Sequence, residues 1–187
     1  MVCTANLYRS PLAEHLLRHR LGQAGAAGVH VASAGSLARP GDRLPAATAQ
    51  RLAEADGAGF AERFVPRRLT PALVAGADLV LGLAQEHREA AVRLHPVALR
   101  RCFTLLEFVR LSEQDEPHGS AGPGGTAAAG REAVARAAAR RGLGPPATAE
   151  ADSVADPAGG PPEELLHCAA LIEAAVDRLA AVLCPPR

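Results

Sequence analysis

A cysteine at position 3 and an arginine at position 9 bracket five residues directly ahead of a proline-led apolar stretch, in Met1-Val2-Cys3-Thr4-Ala5-Asn6-Leu7-Tyr8-Arg9-Ser10-Pro11. A loop of that length can curl so that its amide N–H groups point inward, and the positive end of a following helix adds to the same spot. Such a cradle suits a dianion, so Thr4, Ala5, Asn6, Leu7, Tyr8, Arg9 and Ser10 are the expected phosphate-binding residues. The same field favours a thiolate at its base, which makes Cys3 a nucleophile able to attack phosphorus. Arg9 offers a planar fork to two phosphoryl oxygens. Cys-x5-Arg alone is a weak signal, because arginine supplies all 20 basic residues of the chain and recurs by chance. Context strengthens it. Val2 suits the end of a buried strand, Ser10 can cap the helix and stand beside the sulfur, and Pro11 suits a first helical turn. Asn6, the sole asparagine, sits mid-loop where positive φ is tolerated. The competing reading is a small buried cysteine near a frayed terminus.

Transfer of a phosphoryl group to sulfur also needs a proton for the leaving oxygen. Asp156-Pro157, in a Gly/Pro-rich loop before the last apolar-periodic stretch, offers a carboxyl group on a segment able to close over a site. Pro157 biases Asp156 toward extended backbone. An ordinary Asp-Pro turn is the plain alternative, and Asp152 is the second candidate acid. His15 and His19 stand four apart on a helix, but the spacing supplies no carboxylate as a third metal ligand, so they read as solvated and no metal site is expected. The cysteines at 3, 102, 168 and 184 show no CxxC spacing, and Cys168 reads as core.

Val2 to Glu14 resembles the signature loop and first helix of the low-molecular-weight protein tyrosine phosphatase family, and further matches follow in the family's order. Val31-Ala32-Ser33-Ala34-Gly35-Ser36 is similar to its second-strand segment, Ala77-Asp78-Leu79-Val80-Leu81 to its third strand, and Asp156-Pro157 to its general-acid dipeptide. The resemblance implies a phosphomonoester hydrolase acting through a phosphocysteine. Cys3 would be the nucleophile, Arg9 the phosphate ligand and Asp156 the general acid, with Asn6, Ser10 and Ser33 supporting the loop and no cofactor. It also implies a strand of several residues before the cysteine, where this sequence has only Met1 and Val2. A start placed too late is the expected reason, and true loss of a central strand is the alternative.

Several positions depart from the family pattern. Ala5 stands for a usual glycine, Tyr8 for a frequent second loop cysteine, and Leu37 to Gly41 lacks the usual aromatic wall. The tyrosines that often follow the Asp-Pro pair are also missing. Leu7 is apolar, as in the tyrosine phosphatases, whereas the arginine-phosphate phosphatases carry threonine there. A phosphorylated protein and a small phosphate ester are both open as substrates. Two rival functions stand beside this reading. A thiol-linked arsenate reductase would need two further cysteines near the third strand, and Gly82 to Leu94 has none. The other is a non-catalytic phosphate-binding or regulatory module.

These residues need a scaffold. Pro11–Leu21 is periodic as an amphipathic helix, with Glu14, His15, Arg18 and Arg20 on its polar side. Val29–Ser33 alternates as a strand, 45–58 and 70–75 read as helices, 78–83 as a buried parallel strand, 85–94 as a helix and 102–105 as a fourth strand. Segments 127–141 and 162–183 read as helices. On the latter, Leu165, Leu166, Ala169, Leu171, Ile172, Val176, Leu179 and Leu183 form the expected core stripe. Alternation of helix and strand predicts an α/β fold, a three-layer, doubly wound, parallel four-stranded sheet whose first central strand is largely missing. In such sheets ligands bind beyond the carboxyl ends of the strands, where the Cys3 loop emerges. One domain over 1–187 is expected, with a flexible insert at about 112–126 rich in glycine, proline and acids. Formal charge is zero and sequence pI near 7.1. Nothing suggests nucleic acid or membrane as a partner, and without a visible secretory signal a cytoplasmic location is expected.

Overall fold

The computed structural model describes residues 1–26, 28–56, 59–113, 125–143 and 147–184. Four strands, β1 (Val2–Cys3), β2 (Ala34–Gly35), β3 (Val80–Gly82) and β4 (Cys102–Thr104), form one parallel sheet in the order β2-β1-β3-β4. The order reverses between β1 and β3. That is the switch point at which loops leaving neighbouring strands part and open a crevice.

Side chains alternate across the sheet as the pleat requires. Cys3, Leu81 and Phe103 enter a core with α1 (Arg9–Gln23), α6 (Leu105–Ser112), α7 (Gly125–Arg140) and α8 (Pro162–Leu183). Val2, Val80 and Cys102 face the other way, into a smaller core with Leu69, with Val74 of α4 (Pro71–Ala75) and with Ala91 of α5 (Gln85–Leu94). Helices on both faces of a parallel sheet make the three layers. Against α1 pack α2 (Ala46–Asp56) and, through Phe60, α3 (Gly59–Arg63).

The first strand is short but present. Val2 pairs with Ala34 and Gly82, and Cys3 with Gly35, which places the loop that follows between its neighbours. Pairing on β2 begins where β1 supplies a partner. The strand expected over Val29–Ser33 is therefore displaced to Ala34–Gly35, and a cavity of about 350 Å³ lined by Met1, Val29, Val31, Asp78 and Leu79 lies beside the unpaired stretch.

Other expectations change for reasons of packing. His15 and Glu14 are buried rather than solvated, because α1 is covered by the sheet on one side and by Phe60 on another; the His15 and Phe60 rings lie 4.7 Å apart. On α8, Leu166 is 61% exposed and Leu171 37% exposed, so both leave the core stripe, while Ala175 joins it. Ser112 ends α6, and Gly125 and Thr126 begin α7. Glu113 caps the end of α6, and residues 114–124 of the expected insert lie outside the described residues. Among the described residues no helix is long and apolar enough to cross a membrane.

Candidate active site

The loop from Thr4 to Tyr8 joins β1 to α1 at the switch point. Asn6 is its pivot. It has φ 58°, making it the non-glycine residue with positive φ among those described, and it is fully buried. The amide N–H of Arg67 donates to Asn6 Oδ1 at 3.0 Å. A backbone N–H can only donate, so this contact fixes which way the Asn6 amide points. Asn6 Nδ2 then donates to Ser10 Oγ at 2.9 Å and to Ser33 Oγ at 2.8 Å. Ser10 Oγ, already an acceptor from Asn6, lies 3.0 Å from Cys3 Sγ, a contact in which either atom can donate, and also reaches Ala34 O at 3.5 Å. The nucleophile candidate thus faces a hydroxyl oriented through a buried asparagine.

Two local features let the loop close this tightly. A Cβ on Gly35 would stand 2.7 Å from Thr4 O and 2.8 Å from the Ala5 carbonyl carbon, so only glycine lets β2 run this close beneath the loop. Among the described residues, the amides of Thr4, Ala5, Asn6, Leu7 and Tyr8 donate to no protein acceptor, which leaves these donors open to an anion. Ser10 does not cap the helix as expected. It is the second residue of α1, Tyr8 occupies the N-cap without a side-chain cap bond, and the Ser10 hydroxyl serves the sulfur network instead.

Arg9 is 3% exposed and held on three sides. Nη1 donates to Val154 O at 3.0 Å, and Nη2 to Thr4 Oγ1 at 3.2 Å and to Asp156 Oδ2 at 2.6 Å. The structure therefore brings Cys3, Arg9 and Asp156 to one end of the sheet, although Asp156 lies 147 residues from Arg9 in sequence. The segment carrying Asp156 is tied down at its start. Val154 N–H donates to Leu83 O at 2.7 Å, and Ser153 Oγ accepts from Gln85 N–H. Asp152 is taken by the Arg110 fork at 3.1 and 2.7 Å, so the second candidate acid has a structural partner already. Asp156 itself is half exposed and accepts the Ala158 N–H.

Sequence reasoning missed two contributors. Arg67 orients Asn6 and also donates from Nε to Ser33 O at 2.6 Å. His87, on the first turn of α5, places Nε2 3.0 Å from Thr4 Oγ1. Burial first, and then the nearby Arg9 guanidinium, push the imidazole pKa down to about 4 against the pull of Glu86 and Asp156. The rule that ligands gather at the strand-order reversal points to the segment after β3, which leads directly into the first turn of α5 and His87, and was the available signal. Tyr8 O–H donates to Leu165 O at 2.7 Å, fastening the loop to α8. Cys168, 4% exposed and with its thiol donating to Ala155 O at 3.8 Å, has its pKa pushed up to about 11, chiefly by burial. Among the described residues, no group of three or more metal-ligating side chains is present.

A buried arginine, a thiol beside a hydroxyl and a carboxylate meet at a loop of open amides, an arrangement that suits an anion held next to a nucleophile. The family model for low molecular weight phosphotyrosine protein phosphatase matches residues 1–140, and the chain belongs to that family. It is a cysteine-based phosphatase, and so a hydrolase. The low molecular weight protein-tyrosine-phosphatase Etp of Escherichia coli (strain K12) is 31% identical over 120 residues, 63% of this chain and 75% of that protein. The protein-arginine-phosphatase of Bacillus subtilis (strain 168) is 33% identical over 114 residues, 61% of this chain and 73% of that one. A solved YwlE arginine phosphatase mutant with a phosphorylated active-site serine superposes with a TM-score of 0.68 at 26% identity, covering 100% of this chain and 95% of its own. Asp156 lies beyond the stretch that the family model matches.

Proposed function

We propose that Cys3 attacks the phosphorus of a phosphomonoester, forming a sulfur–phosphorus bond as the phosphorus–oxygen bond to the leaving group breaks. Asp156, protonated for this step, gives its proton to the departing oxygen. The open loop amides and Arg9 bind the charge that spreads over the equatorial oxygens. Water then attacks the phosphocysteine, Asp156 takes its proton, and the thiolate leaves with the Ser10 hydroxyl donating to it. Asn6 and Ser33 hold the loop in shape, and no metal or cofactor takes part in these steps.

The observation that carries this reading is the three-sided hold on Arg9, since one guanidinium nitrogen touches both Thr4 of the loop and Asp156. An incoming dianion competes with the Asp156 carboxylate for Nη2, and that exchange frees Asp156 to face the leaving group.

For substrate, an apolar Leu7 supports a phosphate ester over phosphoarginine, while the exposed Leu37 stands where a flat aromatic wall would be. A phosphorylated protein is the class the relatives' names suggest, and a small phosphate ester suits the same pocket. Hydrolysis of p-nitrophenyl phosphate, a phosphotyrosine peptide and a phosphoarginine peptide, each by wild type and Cys3→Ser, tests this. Turnover of the two esters above the phosphoarginine peptide, abolished in Cys3→Ser, is expected. Preference for phosphoarginine, or turnover surviving in Cys3→Ser, would refute it. A cytoplasmic, single-domain enzyme is part of the same proposal, supported by four free cysteines among the described residues and one continuous sheet.

A further inference from the structure

We propose that His87 is a positioning residue: its imidazole, reaching in from the start of α5, pins the Thr4 hydroxyl and through it holds Arg9 ready for the phosphoryl group. This rests on the reading of Arg9 as the phosphate ligand.

His87 is 1% exposed, so its ring has one fixed place. Nε2 lies 3.0 Å from Thr4 Oγ1, and Arg9 Nη2 reaches the same oxygen at 3.2 Å. The guanidinium can only donate, so Thr4 Oγ1 accepts from it, and the imidazole contact on the second side stops the hydroxyl from rotating away. The other ring nitrogen, Nδ1, is buried without a hydrogen-bond partner among the described residues. A buried polar atom left unpaired is unfavourable, and an aliphatic side chain in its place would avoid it. The Thr4 contact is the hydrogen bond the ring makes that such a side chain could not make.

Charge supports the same role. The groups facing the ring are Arg9, Glu86, whose Oε1 is 3.7 Å from Nε2, and Asp156. An imidazole that stays neutral, as burial and Arg9 dictate, adds no second cation to repel Arg9 and no anion to compete with substrate. When a dianion displaces Asp156 from Nη2, the guanidinium keeps two anchors, Val154 O through Nη1 and Thr4 Oγ1 through Nη2. Without His87 the second anchor is loose, and the plane of the fork is set by Val154 alone.

The test uses the full chain, with p-nitrophenyl phosphate as substrate and inorganic phosphate as competitive inhibitor, on His87→Asn, His87→Gln, Thr4→Val and the Thr4→Val/His87→Asn pair. The Gln amide can reach the position of Nε2, whereas the Asn amide stops short of it. His87→Asn is expected to raise KM and the phosphate inhibition constant about tenfold with a smaller change in kcat, the loss expected for a hydrogen bond that supports a charged ligand. His87→Gln should stay within about threefold of wild type on the same scale. Thr4→Val should reproduce His87→Asn, and the double variant should be no worse than Thr4→Val. An unchanged inhibition constant in His87→Asn, no rescue by Gln, or additive effects in the double variant would overturn the proposal. If circular dichroism shows that His87→Asn does not fold, Thr4→Val decides: weaker phosphate binding supports the role and wild-type binding overturns it. Absence of turnover in wild type would sink the phosphatase reading instead, and calorimetric binding of phosphate would still report on His87.

Discussion

Removing the Asn6 side chain should damage both stability and catalysis, and the structure lets the two causes be separated. Asn6→Ala deletes two donated hydrogen bonds and one accepted bond in a fully buried place. At about 0.5–1.5 kcal/mol net for each bond, the three come to about 1.5–4.5 kcal/mol before any penalty for leaving the Arg67 N–H unpaired. Alanine is also forced to hold φ near 58°, at about 1 kcal/mol more, because its Cβ crowds the carbonyl in the left-handed region. Asn6→Gly loses the same bonds and escapes that strain, an advantage partly offset by glycine's freer unfolded chain, so it should be about 0.5 kcal/mol more stable than Asn6→Ala. Urea denaturation at neutral pH under reducing conditions measures both. With Ser10 no longer oriented toward sulfur, kcat/KM for p-nitrophenyl phosphate should fall roughly 10–100-fold in each variant. The reasoning is refuted if Asn6→Ala unfolds within about 0.5 kcal/mol of wild type. It is also refuted if glycine is no better tolerated than alanine.

Gly35→Ala should cost about 2 kcal/mol or more, because the new methyl meets loop backbone that cannot move aside, and equal stability to wild type in urea would contradict the close approach. Asp156→Ala should slow esters with poor leaving groups about 10²–10⁴-fold and p-nitrophenyl phosphate less, since an activated phenol needs less help from an acid. The same change should tighten inorganic phosphate by about threefold, a modest gain because the Arg9–Asp156 pair is half exposed on the carboxylate side. Equal losses on all leaving groups would count against the acid role. At high pH the unfolded Cys168 thiol ionises near 9 while the folded one stays protonated to about 11, so the unfolded state binds fewer protons and stability falls across that window. Cys102, also pushed up by burial, adds to the fall, and melting temperatures of Cys168→Ala between pH 9 and 11 should decline less steeply than those of wild type.

What could be read from the sequence was mostly local. Cys3, Asn6, Arg9 and Ser10 sit within eight residues, and spacing alone suggested that they share a loop. The helices α4 and α8 were visible in their proline starts, and α5 was legible as a helix over 85–94. Ser33 came from resemblance and Asp156 from its Asp-Pro loop together with that resemblance, since nothing in composition says that they reach a loop at the other end of the chain. His87 and Arg67 escaped notice because their contacts with that loop span 83 and 61 residues, and neither belongs to a short pattern. Helix α6 was missed although Thr104 and Glu107 form a capping box, a signal hidden by the apolar run that feeds directly from β4. His15 was misplaced because helical periodicity describes one buried face, whereas α1 is covered on more than one side. The Val29–Ser33 strand failed because alternation measures what a segment could pair with, and pairing also needs a neighbour alongside.

The central claim is that the Cys3 sulfur carries the phosphoryl group between two chemical steps. Acid quench of Asp156→Ala during turnover of p-nitrophenyl phosphate, followed by peptide mass spectrometry, measures it directly. One phosphoryl group on the peptide holding Cys3, absent when Cys3→Ser is combined with Asp156→Ala or found there on the serine, is the predicted result. A burst of phenol with no phosphorylated residue in that peptide, or with phosphate on another residue, would contradict the account.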